Sequence, residues 1–211
     1  MFATKFIPKG TVLCQVPREL IIVSDDPEEE SSIMCCGTVK ALARELKKGN
    51  ESKYAPYVNY LLSQPDNEIP SAWSKMGQDL LRAIMGGKGQ ALIPPVDPTE
   101  WLTHDWYERC QGRRADKISA KAAMLVVQRS DDILMIPGHD MYSHRNGKYL
   151  NADSTLIENE KQDGVTVATR DIQPGEQIHV SHNKCAGCSG RQIGYGTPGT
   201  YDGWVYHAYL P

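Results

Sequence analysis

The sequence predicts an α+β fold in which small sheets built from both ends of the chain enclose a helical insertion. Three observations predict it. A strand-and-turn pattern near the N-terminus returns about residue 170, apolar positions between the two copies recur at helical period, and a dense polar loop separates two strand-like runs.

The first copy lies in Phe2 to Val23, where apolar and polar residues alternate and Pro8, Lys9 and Gly10 mark a turn. A local hairpin is the simplest expectation. The second copy, VATRDIQPGEQIHVS, repeats Ala-Thr-basic-x-Ile-x-x-Gly in register, aligning Ala3 with Ala168, Ile7 with Ile172 and Gly10 with Gly175. Each copy should form strand, turn and strand, and their meeting should bury Ile7, Val12, Ile172 and Ile178.

Between the copies, the acidic run Asp25 to Ser32 reads as a solvated loop, since it lacks the Asp and Gly spacing of a calcium loop. Leu42, Ala43 and Leu46 share one face of a helix over Val39 to Lys48, stopped by Gly49 and Asn50. Tyr57, Tyr60 and Leu61 define a second helix over Tyr54 to Leu62. A third carries Trp73, Met76, Leu80, Leu81 and Ile84 and closes at Gly86 and Gly87. Asp97, Pro98 and Glu100 form a capping box for a fourth, along which Trp101, Trp106 and Cys110 would lie. Ala120, Ala123, Met124 and Val127 mark a fifth over Lys117 to Gln128. One domain over 1–211 is expected, with the insert at about 35–130 and a C-terminal part at about 131–206.

The chain of 211 residues, 40% hydrophobic, can bury a core of its own. A net charge of −3 and a pI near 6.1 argue against nucleic acid as partner, because phosphate affinity needs clustered Lys and Arg. No apolar run has membrane-spanning length, so no membrane partner is expected and a soluble domain is. Six cysteines without a regular framework fit reduced thiols, and hence an intracellular compartment, better than a disulfide scaffold. No signal or transit pattern precedes Phe2, as expected of a chain that has none or of a fragment.

The chemical interest concentrates in IPGHDMYSHRNGKYLNADS, Ile136 to Ser154, where histidines, acids and asparagines crowd a loop between strands. Its core, HDMYSHRNG, resembles the Asn-His signature of SET-domain methyltransferases, in the branch of the Rubisco large-subunit lysine methyltransferases and the actin-histidine methyltransferase. That branch reads Asp-Met-x-Asn-His. Asp140, Met141 and His144 match, and Ser143 stands where the family has Asn. The phrases LARELKKGNESKYAPYVNYL and AWSKMGQDLL are similar to the family's helical insert, so the resemblance runs from Phe2 to about Val205. It implies a SET-like β-clip core of small sheets with a helical insertion, and leaves no room before Pro211 for the branch's C-terminal helical domain.

The resemblance further implies S-adenosyl-L-methionine as cofactor, with Asp140, Ser143 and His144 on its binding loop, and a protein substrate methylated on lysine or, less expectedly, histidine. The family's closing Asp-Tyr-Gly-Phe-Val compares with TYDGWVYHAY, where Asp202 falls in register with the catalytic tyrosine and Tyr201 is the nearest phenol. Tyr201 is therefore the catalytic candidate. His182 replaces a second family tyrosine, and Met1 stands where a glycine-rich turn would precede Phe2-Ala3-Thr4. These departures define the rival reading, a non-catalytic SET-like interaction module. Cys185 and Cys188, with His179 and His182, offer soft ligands, but both histidines and the CxxC lie on one short segment, so a thiol pair is expected rather than zinc.

Overall fold

The two copies of the repeated pattern pair with each other and not within themselves. In the computed structural model, which describes residues 1–25, 35–66, 68–85, 99–131, 134–145, 147–155 and 162–181, Ile7 and Ile172 form an antiparallel bridge, as do Phe2 and Gln177. Around them the Gly10 N–H donates to the Ala168 carbonyl at 2.8 Å, and the Gly175 N–H donates to the Ala3 carbonyl at 2.7 Å. Both glycines adopt left-handed φ, +84° and +81°, which their lack of a Cβ permits. The local hairpins expected of each copy are thus replaced by an exchange between copies, because each turn's strands find better partners across the repeat.

The chain divides into two compact units. The first joins residues 1–21 to the described residues between Ile136 and Ser181. There β1 (Val12–Val16) pairs antiparallel with β4 (Gly164–Ala168), which pairs antiparallel with β3 (Ala152–Thr155). A second sheet has two strands in parallel, β2 (Ser143–His144) and β5 (His179–Val180). Ala3, Tyr142, Ala152, Ala168, Ile172, Ile178 and Val180 form its core, with Ile7 packed against it. Val12 departs from expectation: one extra residue of β1 sits between the pairs Val12–Val167 and Cys14–Thr166, and this bulge leaves Val12 53% exposed.

The second unit, Ile22–Met135, is helical: α1 (Cys36–Lys48), α2 (Ala55–Ser63), α3 (Lys75–Met85) and α4 (Lys117–Arg129), with a π-helix over Trp101–Arg109. Helix α1 stops at Gly49, whose φ is +54°. Asp116 caps α4, accepting from the Ser119 N–H at 3.1 Å and its hydroxyl at 2.7 Å, and its carboxylate also takes the Lys47 ammonium at 2.6 Å. The buried face of α4 includes Ala122, Leu125 and Val126 beside Ala123, so it is turned from the stripe expected through Met124 and Val127. Trp101 and Trp106 lie on a helix as expected, with Cys110 at its end, and all three are buried, but the helix is a π-helix, whose wider turn an apolar period does not distinguish. Met76 and Leu80 of α3 are 79% and 61% exposed, and Leu81 alone of the expected stripe is buried among those described.

The thiol expectation is corrected here. Cys36 and Cys110 are joined in a disulfide between the first residue of α1 and the end of the π-helix, while Cys14 and Cys35 keep their thiols. The pair removes the premise from which a reducing, intracellular compartment was read. No helix among the described residues is long and apolar enough to cross a membrane. Most of the acidic run after Asp25, the Asp97 and Pro98 cap and the Gly86 and Gly87 stop lie outside the described residues.

Candidate functional site

Gly138, at φ +80°, turns the chain out of Ile136 into a 3-10 turn over His139–Met141. The Tyr142 N–H closes that turn on the His139 carbonyl at 3.2 Å, and the Tyr142 ring is buried in the core. Burial, then the neighbouring Cys14, push the Tyr142 phenol up to about 12, so this tyrosine stays protonated and serves as an anchor. Asp140 lies within the turn, with its Oδ1 atom buried.

Anchored at Tyr142, the chain enters β2. Ser143 pairs with His179 and His144 with Val180, and the Arg145 N–H donates to the Val180 carbonyl at 3.1 Å. The Ser143 hydroxyl accepts from Gln177 Nε2 at 2.8 Å. Asn151, fully buried, holds β5 from the other side. Its Oδ1 accepts from the His179 N–H at 2.7 Å, its Nδ2 donates to the Gln177 carbonyl at 2.8 Å, and its own N–H donates toward the His179 carbonyl at 3.4 Å. Such a residue is satisfied on every side, which is what a buried amide requires. Sequence reading noticed this asparagine only as part of a polar loop.

The structure therefore brings Asp140, Ser143 and His144 together on one turn and strand, and sets β5 beside them. His179 is the residue the sequence reading undervalued. It is 8% exposed, its Nδ1 atom has no hydrogen-bond partner among the described residues, and desolvation holds its pKa below the ordinary value. The alternation of GEQIHVS, with Ile178 and Val180 apolar, was the available signal. Tyr201, Asp202, His182, Cys185 and Cys188 lie outside the described residues, and among those described no group of His, Cys, Asp or Glu could hold a metal ion.

The family model for the SET domain matches residues 1–183, which includes both copies of the repeat, the helical unit and the β2–β5 pair. The chain belongs to the SET domain family. Its α+β arrangement of small sheets and helices is a SET fold, as the Asp-Met-x-x-His loop implied. Among solved structures, the SET domain of LSMT bound to lysine and AdoHcy is similar at a TM-score of 0.56 and 16% identity, over 87% of this chain and 46% of that one. The structure of Rubisco LSMT bound to sinefungin and monomethyllysine is similar at 0.54 and 18%, over 87% and 45%. This SET chain spans less than half the length of either. No curated protein matches it in sequence.

Proposed function

We propose that this SET domain is an S-adenosyl-L-methionine-dependent protein methyltransferase that acts on a lysine side chain, with histidine the less favoured acceptor. The observation that carries the reading is the family match over residues 1–183, inside which Asp140, Ser143 and His144 share one loop pinned to β5. The bound cofactor supplies a methyl group on a sulfonium. Asp140, Ser143 and His144 hold it, and the substrate is a protein.

A lysine acceptor has a free pKa of about 10.4, so the site must favour its neutral form by desolvation and then orient the amine. Tyr201 is the phenol assigned to that orientation. Similar SET domains hold lysine with AdoHcy, or monomethyllysine with sinefungin, which supports lysine over histidine.

One observation favours the interaction-module reading. The Ser143 hydroxyl already takes a hydrogen bond from Gln177, so the position where the family places an amide offers less to a cofactor. Calorimetric titration of the full chain with S-adenosylhomocysteine separates the two. Saturable one-site binding, followed by label transfer from S-adenosyl-L-methionine to protein lysine, is expected. No binding heat at millimolar ligand would leave the module as the better reading.

A further inference from the structure

Two side-chain amides meet β5, and they differ in how fully they are used. The Asn151 amide is buried and spends itself on the strand, accepting from the His179 N–H and donating to the Gln177 carbonyl. Gln177 is only half-buried, and among the described residues its amide makes one hydrogen bond, from Nε2 to the Ser143 hydroxyl at 2.8 Å. A primary amide has two N–H donors and a carbonyl oxygen, so one N–H and Oε1 of Gln177 stay open to a ligand.

Register puts this open amide beside Ser143. Bridge partners in neighbouring strands project from one face of a sheet, so Ser143 shares a face with His179, and with Gln177 two residues earlier. The backbone around Gln177 is fixed from both sides: residue 177 bridges Phe2, the Ile178 N–H donates to the Met1 carbonyl at 2.9 Å, and the Gln177 carbonyl takes Asn151. The root of the side chain is therefore held, and its tip is aimed by Ser143.

Ser143 stands where the SET branch places Asn. An asparagine there would carry its amide nitrogen about 1.3 Å beyond the atom that replaces the serine oxygen. Gln177 Nε2 stands 2.8 Å from that oxygen, on the same face. One amide can serve where the other would. We propose that Gln177 supplies from β5 the amide that residue 143 lacks, so that Gln177 and the Ser143 hydroxyl together make the cofactor contact that an amide at 143 would make alone. This rests on the methyltransferase reading above, in which Ser143 holds the cofactor. The bond that commits the Ser143 hydroxyl is, on this assignment, what keeps the relocated amide in place.

The test is a double-mutant cycle read by calorimetry of the full chain with S-adenosylhomocysteine, beside thermal unfolding of each variant. Gln177→Met keeps the length of the side chain and removes the amide, and should weaken binding about tenfold, the worth of one hydrogen bond. Ser143→Asn alone should give no gain, because Gln177 already serves there. In the Gln177→Met background the same Ser143→Asn should restore most of the loss. A glutamine that merely braced β5 would not be replaced by a change on β2, so this recovery separates binding from structure. Gln177→Leu, run in parallel, gives the same cycle with a second apolar replacement should Gln177→Met lose its thermal transition. Unchanged affinity in Gln177→Met overturns the proposal and leaves the methyltransferase reading intact. A loss that Ser143→Asn does not restore overturns it as well, as does a gain from Ser143→Asn in the wild-type background. Failure of the wild type to bind S-adenosylhomocysteine at millimolar ligand removes that reading and the proposal together.

Discussion

Ile7 and Ile172 exchange both of their backbone hydrogen bonds, at 3.0 and 2.9 Å, and stand at the local two-fold that relates the two copies of the repeated pattern. Ile172 is fully buried and Ile7 only partly so. Ile172→Ala should cost about 2 to 5 kcal/mol of stability by opening a cavity, and Ile7→Ala clearly less. Equilibrium denaturation of the two variants checks the ranking. Equal costs would mean that the two positions are not distinguished by burial.

Asn151→Ala should destabilise the β2–β5 pair, because it leaves the buried His179 N–H without its acceptor at about 1 to 3 kcal/mol. Amide hydrogen exchange at His179 and Val180 reads this directly. Protection unchanged from the wild type would show that the strand does not depend on the amide.

Reducing Cys36–Cys110, which are separated by 74 residues in sequence, releases a long loop of the unfolded helical unit and should lower stability by roughly 4 kcal/mol on chain-entropy grounds. Thermal unfolding of the wild type with and without reductant, beside Cys36→Ser, gives the measurement. A melting point indifferent to both would remove the disulfide from the energetics of this unit.

Acid should act through Asp116 and Glu176, both held down at about 2, the first by Lys47 and Ser119, the second by Arg170 and the Gln173 N–H. Each folded-state pKa lies below its unfolded value, so the stability it adds is present above the ordinary carboxylate range and is lost as pH falls toward 2. Urea titrations at stepped pH should show a steeper loss in that window for the wild type than for Asp116→Asn combined with Glu176→Gln. Parallel curves would show the loss to come from other carboxylates.

If Tyr201 has the role proposed for it, Tyr201→Phe should reduce methyl transfer to protein lysine and leave cofactor affinity level, because only the placing of the acceptor amine would lose a hydrogen bond. Asp202→Asn should change little. The reverse outcome would put a carboxylate in the acceptor channel, which favours holding a cationic lysine over methylating a neutral one.

What the residues disclosed and what they concealed divide along the range of the interaction. Leu42, Leu46, Leu61 and Ala123 were legible as buried because helical period is local, and Gly49 because a helix end needs its φ. The Ala-Thr-x-x-Ile-x-x-Gly repeat was legible, but not that its copies bond to each other, since a turn's sequence does not name a partner far along the chain. Val12 was misjudged because a one-residue bulge reverses facing, and the cystine because thiol spacing carries no distance. At the site, Asp140, Ser143 and His144 were visible as a motif. His179 was hidden because its burial exists only once Ser143 and Asn151 have fixed the strand around it.

The pairing of β1 with β4 also sets an order of events during synthesis. Gln15 reaches Asp163 across 148 positions, so β1 leaves the ribosome long before its partner exists. Until then it is an open strand edge, with Phe2, Phe6 and Val12 exposed even in the finished fold. Contacts of such sequence separation close late. During synthesis this makes residues 2–16 a stretch for a chaperone to shield, and makes completion of β4 the step that retires the hazard.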